Sequence, residues 1–185
     1  QIESLWKDKL IVTRVVDIIL CYFQACVVSV CVFVRCTDVA LLLNDFVSKS
    51  LNRISYTITE NQIFFFPLLH QAAYIRITAH FYNHDLIFTI YDSSASSTGS
   101  VAVHIIERLI DQIHRRIFTS FMRCRSHTIY STSHPRNSSW TNVDSGIYII
   151  NYMRGLAVTG SVYGVDSPWW LDRDRIADIL VFFTL

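Results

Sequence analysis

At 185 residues the chain has the size of a single domain and enough length to bury a core. Hydrophobic residues make up 51% and charged residues 17%, which excludes a disordered composition. A formal net charge of +1 with no basic run gives no electrostatic ground for nucleic-acid binding.

The chain opens on Gln1 rather than Met, as expected of a piece of a longer protein or of a processed product. Residues 3–24 read as a helix. The run "IILCYFQACVVSVCVFV" (18–34) carries only Gln24 and Ser29 as polar members. Its 17 residues fall short of the roughly 20 that a spanning helix needs, and Arg14 and Asp17 precede it closely. Its character also changes midway, from helical periodicity to a β-branched run. A helix followed by a core strand over 27–34 is therefore expected, and a membrane span is not.

Cys21, Cys26, Cys31 and Cys36 recur every five residues, and Cys124 stands apart. On a helix each step of five turns the side chain by about 140°, and on a strand it changes face. Neither geometry gathers thiolates round a metal, and no CxxC pair is present. These cysteines read as small buried hydrophobes in a reducing, intracellular compartment, nuclear or cytoplasmic. No metal or other cofactor is implied.

"DVALLLNDFVSKSL" (38–51) suggests a second helix, with Asp38 in its first turn. "QIFFFP" (62–67) reads as a short apolar strand stopped by Pro67. Residues 73–81 and 85–91, the latter running to Asp92, alternate β-branched and aromatic residues about the turn "YNHD" and form a hairpin. A polar loop (93–100) leads to a helix over 101–118, with Val101, Ile105, Leu109, Ile113 and Ile117 at helical spacing. His114, Arg115 and Arg116 suit the negative end of its dipole. After a second polar loop, "SSWTNVDSG", a very apolar helix spans 147–158. An amphipathic helix over 172–183 closes the chain. This order, without repeats or a linker, describes one α+β domain over 1–185.

Four pieces of the chain resemble the ubiquitin-like-protein proteases, the SUMO-protease (Ulp) family of cysteine peptidases, to which the adenovirus protease is distantly related. "SLWKDKLIVTRVVDIIL" is similar to that family's entry into its first helix. "IFFFPLLHQAAYIRITAHFYNHDLIFTIYDS" is similar to its central hairpin, where a His-Trp pair opens one strand and Tyr-Asp-Ser closes the next. "NSSWTNVDSGIYIINYM" is similar to the segment in which a glutamine precedes Asp-Cys-Gly and an apolar helix. "DRDRIADIL" is similar to the closing helix. The resemblance implies a papain-like, adenain-like fold: a central mixed sheet flanked by helices.

The family acts with a Cys nucleophile, a His base, an Asp that orients the His, and a Gln that holds the oxyanion. By the resemblance these positions fall on Ser145, Ala73, Asp92 and Ser139, so only the Asp is kept. A serine needs a general base within about 2.6–3.2 Å, and Ala73 cannot be one. His70, placed by the sequence in the loop after Pro67, is the candidate substitute base. Capping roles alone also account for Asp92, Asp144 and Ser145.

Two functions are compatible with these residues. One is a catalytically degenerate domain that binds a protein partner, a ubiquitin-like modifier or a member of a larger complex. Trp140, Trp169 and Trp170 are then candidate anchors. The other is an active peptidase removing ubiquitin-like modifiers, with Ser145 as nucleophile or as a substituted catalytic cysteine.

Overall fold

The computed structural model describes residues 11–26, 31–55, 58–59, 61–92, 100–119, 125–131, 145–159 and 176–178. The predicted residues Ser139, Trp140, Trp169 and Trp170, and most of the predicted last helix, lie outside them.

The elements run α1 (Thr13–Cys26), β1 (Cys31–Phe33), α2 (Cys36–Leu43), α3 (Lys49–Ser55), β2 (Ile63–His70), β3 (Ala73–Tyr82), β4 (Asp85–Asp92), α4 (Ser100–Arg116), β5 (Arg125–Ser131) and α5 (Ser145–Thr159). The five strands form one mixed sheet in sequence order. β2, β3 and β4 are antiparallel neighbours, while β1 and β5 join the two edges in parallel. The fold is thus α+β with a central mixed sheet, as the sequence implied.

The run Ile-Phe-Phe-Phe shows why β2 is central. Ile63 and Phe65 join a core with α1 and α5, while Phe64, Phe66 and Leu68 join a second core with α2 and α4. A strand buried on both faces reads as continuous apolar sequence. In β3 the same alternation sends Tyr74 to the α5 side and Ile75, Ile77 and Ala79 to the α4 side.

Besides the place of His70, four points of the sequence reading needed correction. The helix predicted over 38–51 is two helices. After α2 the N–H of Asp45 bonds Leu42 O and that of Phe46 bonds Leu41 O, with Asp45 at φ 63°. That is a Schellman stop, with aspartate where glycine is usual. Second, β2 runs through Pro67 to His70. Phe65 turns its carbonyl to β1, where it accepts the Val34 N–H. Pro67, two residues on, faces the same side beyond the end of β1, so no ladder donor is lost. Third, β5 was not foreseen. Fourth, of the four described cysteines Cys31 and Cys36 are buried, while Cys21 and Cys26 are exposed, off the Val15, Val16, Ile19, Leu20, Phe23 stripe of α1.

Among the described residues no helix is long and apolar enough to cross a membrane. The 18–34 run breaks into α1 and β1, as its change of character suggested.

Two side chains of α1 organise its neighbours. The Asp17 carboxylate accepts from the N–H groups of Cys36 and Thr37 and from Thr37 Oγ1, the last at 2.9 Å. It caps α2 from another helix, because Arg35 at the N-cap offers no side-chain bond. Asp17→Ala is expected to cost about 1–2 kcal/mol in urea unfolding, the range for a lost cap. Gln24 covers the edge of β1. Its amide donates to Cys31 O at 3.2 Å and accepts from Phe33 N at 2.8 Å, as a neighbouring peptide would.

Candidate functional site at the start of β3 and α5

β2 and β3 are joined by Gln71 and Ala72, at φ 46° and 59°. Positive φ at both central residues is the type I′ geometry that asparagine and glycine normally fill. Here neither is present, and each left-handed residue costs on the order of 1 kcal/mol. The tight turn closes on the pair His70–Ala73. His70 is therefore the last residue of a strand, and not in a loop as the sequence suggested.

The closing pair sets the direction of the backbone groups beyond it. In a two-residue hairpin the closing residues turn their backbone groups toward each other. Ala73 therefore faces β2, and Tyr74 presents its N–H to the opposite side, toward β4. Ser145 meets it there: the Tyr74 N–H donates to Ser145 Oγ at 2.9 Å. Ser145 is the first residue of α5 and is 2% exposed. β4 ends nearby, with Asp92 registered opposite Ile75, two residues along β3 from Ala73. The sheet register and this one bond thus bring Ala73, the backbone of Asp92 and Ser145 to one place. His70 lies on the other side of β3 from Ser145, one strand spacing of about 4.8 Å further off. Its Nε2 is buried and has no hydrogen-bond partner among the described residues.

The start of α5 is tightly seated. Tyr74 Oη donates to Ile11 O at 2.7 Å, and burial pushes its hydroxyl pKa up. Gly146 fits between them: a Cβ there would lie 2.8 Å from Ile11 Cβ and 3.3 Å from Tyr74 Cε2. Gly146→Ala is expected to displace Ile11 and cost about 1–3 kcal/mol, seen as a lower urea midpoint with an unchanged m-value.

Deeper along the same face lies a feature that the sequence reading missed. Arg76 is 1% exposed. Its guanidinium carbon sits 3.4 Å from the ring centroid of Tyr91 and 3.3 Å from that of Tyr152. Tyr148 packs against Tyr152 with tilted rings, their centroids 5.1 Å apart. Burial lowers the Arg76 pKa, and the Tyr91 and Tyr148 hydroxyls act against that. The cation thus ties β3, β4 and α5 together, with Tyr152 two helical turns beyond Ser145. The only signal in the sequence was an arginine at an inward-facing position of an otherwise apolar strand.

The other described histidines lie elsewhere, and His134 lies outside the described residues. His80, whose pKa burial lowers, and His84 sit at the far end of the β3–β4 hairpin, His80 half-buried and His84 exposed. His104 and His114 lie on α4. His127 lies on β5, 3.7 Å from Asp85. Among the described residues no three His, Cys, Asp or Glu side chains gather as a metal site would require.

No family model matches the chain, and neither does any curated protein. Solved structures do match. The SUMO protease Ulp1 with its catalytic cysteine oxidised to a sulfenic acid superposes with a TM-score of 0.64 at 14% identity, over 99% of this chain and 82% of that one. The C-terminal Ulp1 protease domain in complex with Smt3, the yeast ortholog of SUMO, gives 0.62 at 13% identity, over 99% and 81%. A de-sumoylating protease gives 0.57 at 11%, over 98% and 76%. Likeness at such identity speaks for the fold, and the conclusion is that this chain has the Ulp-type protease fold, described from Ile11 onward as a helix-flanked mixed sheet.

Proposed function

We propose that the domain is a catalytically silent Ulp-type fold that serves as a protein-binding module, with a ubiquitin-like modifier or a larger complex that carries one as its partner. One observation carries this reading. The Ser145 hydroxyl is buried and accepts the Tyr74 N–H, next to Ala73 in the chain; by the resemblance, Ser145 and Ala73 take the positions of the family's cysteine and histidine. Among the described residues no imidazole bonds this hydroxyl, and a serine hydroxyl without a general base is a weak nucleophile. The Smt3 complex of the Ulp1 domain supports the choice of partner class. A nuclear or cytoplasmic location belongs to the same reading.

The test combines binding and cleavage. The protein is titrated with SUMO-type modifiers by calorimetry and incubated with their conjugates. Binding without cleavage is expected. Turnover by the wild-type chain that disappears in Ser145→Ala would establish the peptidase instead. Absence of any binding would remove the modifier as partner.

A further inference from the structure

The two edges of the sheet are treated differently. β1 is three residues long, and the Gln24 amide occupies its outward Cys31 carbonyl and Phe33 N–H. β5 is seven residues long and pairs with β4 along its inner side. Nothing among the described residues pairs with its outer side. Residues 125–130 are all exposed, with Ile129 51% and Tyr130 45% accessible. A long edge with apolar side chains and an open backbone ladder is a template for another strand.

The sequence of β5 indicates which strand fits. When "RSHTIYS" is laid antiparallel to itself about Thr128, Arg125 falls opposite Ser131, Ser126 opposite Tyr130, His127 opposite Ile129, and Thr128 opposite its own copy. No pair places like charges face to face. The one arginine faces an uncharged position, the apolar Ile129 and Tyr130 each lie against a partner side chain, and a Thr–Thr pair sits on the axis. Asp85, which packs against β5 from β4, lies 3.7 Å from His127 and offsets its charge when protonated. A self-complementary strand is what a two-fold, isologous contact requires.

We propose that β5 is an interface between two copies of this chain, paired antiparallel about Thr128 so that the two sheets become continuous. The proposal is independent of whether the domain cleaves anything.

Sedimentation equilibrium of the full chain at pH 7.5 is expected to give a concentration-dependent mass approaching twice the 21.4 kDa monomer. Thr128→Lys puts two ammonium groups opposite each other and is expected to weaken association at least about tenfold, equivalent to about 1.4 kcal/mol. Thr128→Cys, treated with diamide, is expected to form a covalent dimer well above the wild-type background from its exposed native cysteines. Arg125→Cys, displaced from the axis, is expected to stay at that background. Circular dichroism checks that each variant is folded. A chain that stays monomeric at high concentration overturns the proposal. So does a dimer that Thr128→Lys leaves intact, or cross-linking at Arg125→Cys equal to that at Thr128→Cys.

Discussion

A chain carrying Ala73→His, Ser145→Cys and Ser139→Gln together is expected to cleave a ubiquitin-like substrate bearing a fluorogenic C-terminal amide, while the wild-type chain stays at background. Each substitution supplies a separate part of the chemistry. Cysteine at the first position of α5 gains from the helix N-terminus and from an adjacent imidazolium, which together lower a thiol pKa; a serine hydroxyl does not gain comparably. Histidine at 73 supplies the base, worth about 10²–10⁴-fold. Glutamine at 139, where the resemblance assigns the family's glutamine, restores the oxyanion donor, worth about 10²–10³-fold. The register favours this arrangement, because Ala73 lies at the end of the sheet where β4 stops at Asp92 and Ser145 meets Tyr74. Ser145→Cys alone is expected to remain silent, as is Ala73→His alone. Activity from Ser145→Cys alone would mean that another base serves, with His70 the first to test. Ala73 is 5% exposed, so the added imidazole crowds its surroundings, and a melting curve accompanies each assay.

Arg76→Ala is expected to cost about 3–5 kcal/mol of folding stability, the range for truncating large buried side chains and for breaking buried charged contacts. That is a large share of the roughly 5–15 kcal/mol that holds a domain together. The loss combines two cation–π faces with a void between β3, β4 and α5. Arg76→Lys retains the charge but not the planar group that stacks on both rings, so it is expected to recover only part of the loss. Urea unfolding of both variants measures this. An Arg76→Lys chain as stable as the wild type would show that charge alone holds the cage. An Arg76→Ala chain within about 1 kcal/mol of wild type would show that the cage contributes little.

Much of the fold was legible because its elements bury one face or two. The β3–β4 hairpin, α4 and α5 carry regular apolar spacing over enough residues to stand out. β5 carries none, since both of its faces are exposed and only Ile129 and Tyr130 are apolar. Pro67 read as a stop because the sequence does not show that its nitrogen faces beyond β1. The break after Leu43 was hidden because Asp45 adopts the turn without a glycine. At the site, the order of motifs pointed to Ala73, Asp92 and Ser145. The bond between Tyr74 and Ser145 joins residues 71 apart, and local pattern carries no trace of it. The Arg76 cage was equally hidden, because its rings come from β4 and α5. The position of His70 on the far side of β3 results from a two-residue turn that Gln71 and Ala72 do not advertise.

The amide of Gln24 gives the sheet a direction of growth. One rim is covered by a side chain that imitates a peptide, and nothing among the described residues pairs with the other. Two copies joined through their β5 rims present only covered ones outward. The proposed dimer would therefore end at twice the five described strands, without the repeating head-to-tail contact that a filament needs.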